Sequence, residues 1–571
     1  MINIRRGLCG YKHVYWSAED RQRNITSLVH RWRDVVDRFT FETEEDKLNI
    51  MSWTGKSPNF WIENADEDPS SLADLLSDEI SYLHQAISGR KRSEFRRLIS
   101  YYCKLREKNF REGKIGPAIR AVSGKVMDSY DMQSLRIDED TTLADEDEIH
   151  MAMVEFFEKW HKGADYLRTG IHDPDNNWLE IYENHDKFIN MTADSNAPLE
   201  LRELIWKAMQ STKVHMEETE GGATLRQRMS DTLTTVPTLE EFTAIIRKGY
   251  GGKAAGMTGL TYQLMKVWPA SIIDRVYELL VHQWNSSSLP EFMKWRWLCP
   301  IPKKMGDVRR EDLRPLSLVE VLRKSWSSHV IWKMRNLWEK EGLLDNAQNA
   351  YRCGRGTENA LMQVINGLEE AQECATNIMA TSWDKKRAFD SLSRNAARIA
   401  LYRLGVPVKV CEMLVGLDID GKTVMRTPKA KKLWDQLMLQ SQNCSYAEAC
   451  NTFADLYFVA ARGVGQSDTP SPFIWDAFFD ILLVALKIGA QGKFWLRASG
   501  DRLVEMRDTA YADDLLSPTS EIQLLQRKAN IVSAFAMIFG LEISITKLRS
   551  LFMEWGNEIP EHLLPKILIH Q

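Results

Sequence analysis

Thr509-Ala510-Tyr511-Ala512-Asp513-Asp514-Leu515-Leu516-Ser517 is the stretch that decides how this chain folds. Short apolar runs flank an acidic pair, which predicts a β-hairpin with the acids in its tight turn. Adjacent carboxylates repel one another unless a cation neutralises them. Mg²⁺ suits such a pair, because it takes carboxylate oxygens together with substrate phosphates. A solvated turn would carry the same four letters Tyr511 to Asp514, so the pair gains meaning only beside a second acidic cluster.

That cluster lies upstream in Ser382-Trp383-Asp384-Lys385-Lys386-Arg387-Ala388-Phe389-Asp390. The pattern predicts a strand ending at Asp384, with Phe389 and Asp390 opening the next element. An Asp here also serves as a helix N-cap. Two-metal phosphoryl transfer needs carboxylates from separate strands converging on ions roughly 3.5–4 Å apart. Asp384 on one strand and Asp513 on a neighbouring hairpin would supply them.

Through these two segments the chain resembles the reverse transcriptases of non-LTR (LINE-type) retrotransposons. The order Asp-x-x-x-Ala-Phe-Asp followed by Tyr-Ala-Asp-Asp is similar to motifs A and C of those enzymes. Arg462-Gly463-Val464-Gly465-Gln466-Ser467-Asp468-Thr469-Pro470-Ser471-Pro472 resembles motif B. Trp297 to Lys304 and Leu313 to Leu318 resemble the fingers motifs, Gly252 to Thr261 the segment upstream of them, and Phe539 to Lys547 motif D. The resemblance covers about residues 250 to 560. Several motifs in one order are far more specific than any single one.

The resemblance implies an α+β fold, the fingers and palm of a right-hand polymerase with an antiparallel palm sheet, preceded by a mainly helical N-terminal region. The expected division is a leader and basic helical linker at 1–115, a helical extension at 116–250, and fingers and palm at 251–560. It implies an RNA-directed DNA polymerase that moves nucleotides from dNTPs to a DNA primer 3′-hydroxyl on an RNA template. Two Mg²⁺ ions, or Mn²⁺ in their place, would sit on Asp384, Asp513 and Asp514, the expected catalytic and metal-binding residues. Asp384 and Asp513 are the main ligands in this reading, Asp514 assists, and Asp390 is structural. Lys303, Arg314, Phe389, Gln466 and Lys547 are the expected nucleotide-binding residues.

Each also has a reading from its own chemistry. Lys303 and Arg314 bring positive charge, the guanidinium through paired donors and the ammonium as a point charge; a solvated basic loop would look alike. Phe389 is either a core aromatic or, as the resemblance implies, a steric gate against the 2′-hydroxyl. Gly463 and Gly465 allow close backbone approach to a ligand beside Gln466. The apolar run after Pro470 predicts a buried helix. Lys547 follows a helix that stops at Gly540, a natural C-terminal cap residue; it is a candidate general acid or a surface lysine. Two positions depart from the family pattern. Ser467 stands where Gly is usual, and its side chain is expected to crowd the nucleotide or force the backbone away from positive φ. Thr258 stands where Asp is common.

At 571 residues, with 44% hydrophobic and 27% charged, the composition is that of a globular protein with more than one domain. No apolar run reaches membrane-spanning length, which argues against a membrane partner. Eight scattered cysteines without a C-x-x-C pair indicate neither a disulfide framework nor a zinc knuckle, and point to a reducing intracellular compartment. Nuclear action is implied by the resemblance alone. The net charge of −5 looks wrong for a nucleic-acid binder, but its distribution is uneven. Arg96, Arg97, Lys104, Arg106 and Lys108 lie in a basic run interleaved with Phe95, Tyr101, Tyr102 and Phe110, a pattern that tracks a phosphate backbone or simply forms a solvated helix face. The acidic block from Asp138 to Glu148 reads as linker and loop, and 170–196 as loop. Met153, Phe156, Phe157 and Trp160 at helical spacing read as core.

An endonuclease domain is expected in a full element, and the first 80 residues are too few for one. About twenty residues after Lys547 are too few for a thumb. The expectation is therefore an internal piece of a retroelement polyprotein without a thumb. A catalytically weak nucleic-acid-binding remnant is the alternative. An RNA-dependent RNA polymerase is a third reading, against which Phe389 and Tyr-Ala-Asp-Asp weigh. The oligomeric state is not encoded in any motif.

Overall fold

The computed structural model describes Ser100, residues 135–553 apart from short internal segments, and Ile567 and Ile569. The segments left out are 139–140, 163–169, 250–253, 287–289, 303–308, 374–376, 420, 441–456, 491–494, 499–501 and 506. Lys303 and the basic run holding Arg96, Arg97, Lys104, Arg106 and Lys108 lie outside the described residues.

The described chain is α+β; a two-residue ladder, Leu135–Arg136 on Thr142–Leu143, leads into a run of helices. Helix α1 (Glu146–Lys162) begins inside the acidic block expected to be loop. Asp145 Oδ1 accepts hydrogen bonds from the backbone N–H groups of Asp147 and Glu148 and so caps the helix. Glu146, Asp147 and Glu148 fill its first turn, where negative charge meets the positive end of the helix dipole. The expected loop at 170–196 likewise holds α2 (Trp178–Glu183) and α3 (His185–Met191). Asn177 caps α2, while Asn184 ends α2 and caps α3. The polar letters that suggested loop are these caps, and Trp178, Ile181, Tyr182 and Phe188 between them are buried.

Three further helices follow, α4 (Leu199–Gln210), α5 (Leu225–Thr234) and α6 (Leu239–Lys248). Thr224 with Gln227 and Thr238 with Glu241 form capping boxes that start the last two. After a further helix at Ala270–Ser286 the longer strands begin with β1 (Arg296–Pro302) and β2 (Leu313–Val319), and the long helix α7 (Val321–Lys340) comes next. After α8 (Thr357–Glu373) come β3 (Ile378–Trp383), β4 (Lys385–Lys386), α9 (Ala388–Ser391) and α10 (Arg394–Arg403). The rest runs through β5 (Lys422–Met425), β6 (Tyr457–Val459), α11 (Ser471–Gly489), β7 (Thr509–Tyr511), β8 (Asp514–Thr519), α12 (Ile522–Phe539), β9 (Glu542–Ile543) and β10 (Arg549–Met553).

Two four-stranded sheets organise this part. One has the order β7-β8-β3-β10 and is antiparallel throughout. The other has the order β6-β5-β1-β2, and only its β1–β5 pair runs parallel. A short ladder joins β4 to β9. Helix α11 is apolar nearly all round, as its sequence predicts, with Asp476 and Asp480 buried within it, and packs on α4, α10 and α12. Its Ile474, Trp475, Phe478, Phe479, Ile481 and Leu482 are fully buried, and each contributes on the order of 1.5–3 kcal/mol relative to exposure. One hydrophobic core runs from Ile171 through the early helices to α12 and β9, so α2–α6 are packed into the same core as the residues behind the β7–β8 hairpin. Among the described residues, no helix is long and apolar enough to cross a membrane.

Candidate active site

The acidic pair lies where its sequence predicts. Tyr511 pairs with Asp514 across the β7–β8 hairpin, leaving Ala512 and Asp513 as the turn. Strand β8 pairs with β3, with Leu515 opposite Trp383. One step further in that register, Asp514 stands across from Asp384, the residue that follows β3. The three carboxylates thus come from the end of one strand and the tip of its neighbour.

The site is electrostatically uncomfortable. Burial pushes the Asp513 carboxyl above its ordinary range, and the charges on Asp514 and Asp384 add to this. Burial also raises Asp514, and the Asp384 charge is the next cause. Two lysines offset part of this repulsion. Lys547 Nζ donates to Asp384 Oδ2 at 2.6 Å. It is brought there by the β4–β9 ladder and by the Ser544 N–H, which donates to the Asp384 carbonyl at 2.8 Å. Lys385 is the second, and sequence reasoning missed it. It is buried, its Nζ donates to the Asp513 carbonyl at 3.0 Å, and it lies 4.2 Å from the Phe479 ring centroid. Burial pushes this ammonium down to about 7, against the pull of all three carboxylates. The available signal was period-two alternation, which puts Lys385 on the same buried face as Trp383.

Phe389 and Gln466 form a second group around α9. The Phe389 ring centroid is 5.2 Å from that of Trp475. Asp390 is buried, and its Oδ2 accepts from Gln466 Nε2 at 2.8 Å and from Trp160 Nε1 at 3.2 Å. Burial pushes the Asp390 carboxyl up to about 7. His161 Nε2 lies 3.9 Å from the other oxygen, and burial pushes that imidazole down to about 3. Trp160 also stacks under Arg387, whose guanidinium carbon is 3.9 Å from the ring centroid. Trp160, read as core from its spacing, therefore also holds polar partners beside α9.

The loop before α11 explains its glycines and one departure. Gly463 has φ 91°, and a Cβ there would lie 2.7 Å from the Asp390 carbonyl oxygen. The close approach is to a neighbouring backbone. Ser467 keeps a positive φ of 77°, contrary to the expectation that its side chain would force the backbone away. Its Oγ turns onto β2 and donates to the Ser317 carbonyl at 2.6 Å, while the Ser317 N–H donates to the Gln466 carbonyl at 2.9 Å. Beneath the loop, Arg323 donates to both Asp468 (2.5 Å) and Asp418 (2.8 Å), and Arg296 donates to Asp418 at 2.9 Å, all fully buried. Thr258, the other departure, donates through Oγ1 and N–H to the two carboxylate oxygens of Glu320 at 2.7 and 2.8 Å. An Asp at 258 would set a second carboxylate against Glu320, which burial already pushes upward.

The structure thus brings together Asp384, Asp513, Asp514 and Lys547, and links Phe389 with Gln466 through Asp390. Arg314 stands on the exposed face of β2, and no hydrogen bond or ion pair joins it to the carboxylates among the described residues. Also among the described residues, no three or more His, Cys, Asp or Glu side chains close into a metal cage. Mg²⁺ does not require one, since it is held by one or two carboxylates plus substrate phosphates. The donor set fits such an ion, because all three groups offer hard oxygens and two of them, Asp513 and Asp514, are raised by burial and by neighbouring carboxylates, a strain that a divalent cation would relieve.

Three curated proteins are similar to this chain over about half of its length. A retrovirus-related Pol polyprotein from type-1 retrotransposable element R2 of Nasonia vitripennis is 24% identical over 283 residues, 47% of this chain and 24% of the relative. The Pol polyprotein from type-2 element R2DM of Drosophila melanogaster is 24% identical over 304 residues, 51% of this chain and 24% of the relative. The chain is similar to the Pol polyproteins of R2 non-LTR retrotransposons. A third, from the type-1 R2 element of Popillia japonica, is 24% identical over 250 residues, 43% of this chain and 30% of the relative. The match spans about a quarter of the length of these R2 relatives, and no family model matches the chain.

Proposed function

We propose that this R2-related chain carries the fingers and palm of an RNA-directed DNA polymerase. In this reading it extends a DNA primer on an RNA template, taking nucleotides from dNTPs. The observation that carries the proposal is the convergence of Asp384, Asp513 and Asp514 at one strand end with their charge incompletely offset. The antiparallel sheet β7-β8-β3-β10 is then the palm, and β1 with β2 belongs to the fingers.

Asp384 and Asp513 would hold two Mg²⁺ ions, with Mn²⁺ as a substitute, and Asp514 would assist from across the register. When bound, the metals lower the pKa of the attacking hydroxyl and neutralise the triphosphate. Everything else is done by the chain. Lys547, released from Asp384, is placed to donate a proton to departing pyrophosphate. Phe389, backed by Trp475, presents a ring that clashes with a 2′-hydroxyl. Asp390 fixes the Gln466 amide beside it. Arg314 and Lys303 contribute positive charge for the triphosphate. Arg96, Arg97, Lys104, Arg106 and Lys108 contribute it for the nucleic-acid backbone, and the work is carried out in the nucleus.

The test is primer extension on an RNA template with the purified chain, Mg²⁺ and dNTPs, beside Asp513→Asn. Extension by wild type and none by the variant supports the reading. A folded wild-type chain that binds primer–template and extends nothing would instead be a nucleic-acid-binding remnant. Equal use of rNTPs and dNTPs would remove the role given to Phe389.

A further inference from the structure

Ala512 is the odd residue of the acidic turn. Its φ of 58° lies in the left-handed region, where any residue with a Cβ is strained. A strained residue persists only where its surroundings hold it. Here the holder is Gln348, which no motif reading singled out. Gln348 is 1% exposed. Its Oε1 accepts from the Ala512 N–H at 3.0 Å, and its Nε2 donates to the Ala512 carbonyl at 3.2 Å. One side-chain amide therefore satisfies both polar groups of the turn residue, as a neighbouring strand would. The amide cannot be turned round, because Oε1 also accepts from the Ala350 N–H at 3.1 Å and both of its partners are donors.

The segment bearing Gln348 is itself well anchored. Residue 348 bridges Ala510 in parallel; the Ala510 N–H donates to the Ala347 carbonyl at 2.8 Å, and the Asn349 N–H to the Ala510 carbonyl at 3.0 Å. Upstream, the Asp345 N–H donates to Asp480 Oδ1 at 2.6 Å. Downstream, Arg352 forks onto Glu339 at 3.0 and 2.9 Å and donates to the Asp345 carbonyl at 2.8 Å. From the other side of the turn, Lys385 grips the Asp513 carbonyl. The two turn residues are thus held separately, Ala512 by Gln348 and Asp513 by Lys385.

We infer that Gln348 is a positioning residue for nucleotide transfer, an amide clamp that holds Ala512 in its strained conformation and so aims the Asp513 carboxylate at the Asp384 strand end. The inference rests on the reading of Asp384 and Asp513 as the transfer centre. Its structural half, the clamp on the turn, stands apart from it. A carboxylate aimed in advance spares the reorganisation that a loose turn would need on every turnover.

The test uses the full chain with Gln348→Met, which keeps the length of the side chain and removes both hydrogen-bonding ends. Single-residue hydrogen–deuterium exchange reads the clamp directly. In wild type, the Ala512 amide is expected to be protected, and in Gln348→Met exchange at Ala512 and Asp513 to quicken about tenfold or more. In primer extension, kcat is expected to fall about tenfold with the dNTP KM and primer–template affinity unchanged. The decisive arm is Gln348→Met combined with Ala512→Gly. Glycine accepts positive φ without strain, so the double variant is expected to regain a good part of the lost kcat. A general packing defect would not be relieved by a glycine in the turn. An Ala512 amide that exchanges in wild type as fast as an open turn overturns the clamp, and this measurement needs no variant and no activity. Lack of any recovery in the double variant, with its circular dichroism and melting temperature like those of Gln348→Met, overturns the positioning role. A wild type that extends no primer overturns the polymerase reading, while the exchange data still decide the clamp.

Discussion

Two acidic clusters in this molecule are treated in opposite ways. Beneath the loop before α11, Asp418 and Asp468 are fully buried, and each meets a guanidinium from Arg323, with Arg296 adding a second to Asp418. The charges close on themselves, and the neighbouring arginines hold Asp418 below the usual carboxylate range despite its burial. At the hairpin turn, Asp513 and Asp514 are instead raised by burial and by neighbouring carboxylates, and the lysine whose charge offsets both, Lys385, is itself desolvated. Charge that is complete within the fold ties elements together. Charge left incomplete at a strand end, partly open to solvent, is what a cation-dependent site requires.

The sharpest way to break this contrast is to neutralise one acid of the open cluster. Asp513→Asn is expected to lower primer extension on the order of a thousandfold or more. Its melting temperature is expected to be no lower than that of wild type, because the change removes repulsion. Added Mg²⁺ should raise the wild-type melting temperature more than that of the variant. A clear loss of stability in Asp513→Asn, or an equal Mg²⁺ response, would mean that the turn is a structural element like its neighbour.

The closed cluster should answer the other way. Arg323→Met leaves Asp468 buried without its cation, so it is expected to cost roughly 3–5 kcal/mol of stability. Chemical denaturation measures this directly. A loss under about 1 kcal/mol would show that the pair is not sealed from water.

Asp390 sits between the two cases, buried but held only by neutral donors. Its folded carboxyl is pushed from 3.8 up to about 7. The unfolded chain therefore releases this proton at a lower pH than the folded one, and stability falls as pH rises through that window. His161 acts oppositely, losing stability as pH falls below 6.5, but it is present in wild type and variant alike. Relative to wild type, Asp390→Asn is expected to gain stability steadily from about pH 4 to about pH 7. Thermal melts across that range check the slope, and a difference that does not change with pH would refute it.

The smallest effect is expected at Ser467. Glycine there would relieve the strain of φ 77° but lose the hydrogen bond to the Ser317 carbonyl, and these nearly cancel, leaving a change within about 1 kcal/mol. Equilibrium unfolding of Ser467→Gly measures it. A gain well beyond that would show that the serine is a defect the fold tolerates.

Much of the molecule was readable from local pattern. The hairpin, the buried α11, the stop of α12 at Gly540 and the strand end at Asp384 each follow from a few adjacent letters. What escaped was set by partners far away in sequence. Gln348 contacts Ala512 across 164 positions, and Trp160 reaches Asp390 across 230. Lys385 is the first of three adjacent cations, and its burial depends on packing against the distant Phe479 of α11. The helices at 146–162 and 178–191 were obscured because their capping residues are the same polar letters that make loops. The glycine pattern gave close approach correctly, but only the folded backbone shows that Gly463 approaches Asp390.

Gly463 has a genetic consequence. It bears no charge and touches no proposed ligand, yet any side chain there would strike the backbone of Asp390. If the chain is part of a mobile element, as proposed, then in a copy drifting free of selection one missense change in this codon would unseat the Asp390–Gln466 pair while Asp384, Asp513 and Asp514 all survived. Among related copies, the state of position 463 would therefore report decay that an inspection of the acids alone would pass over.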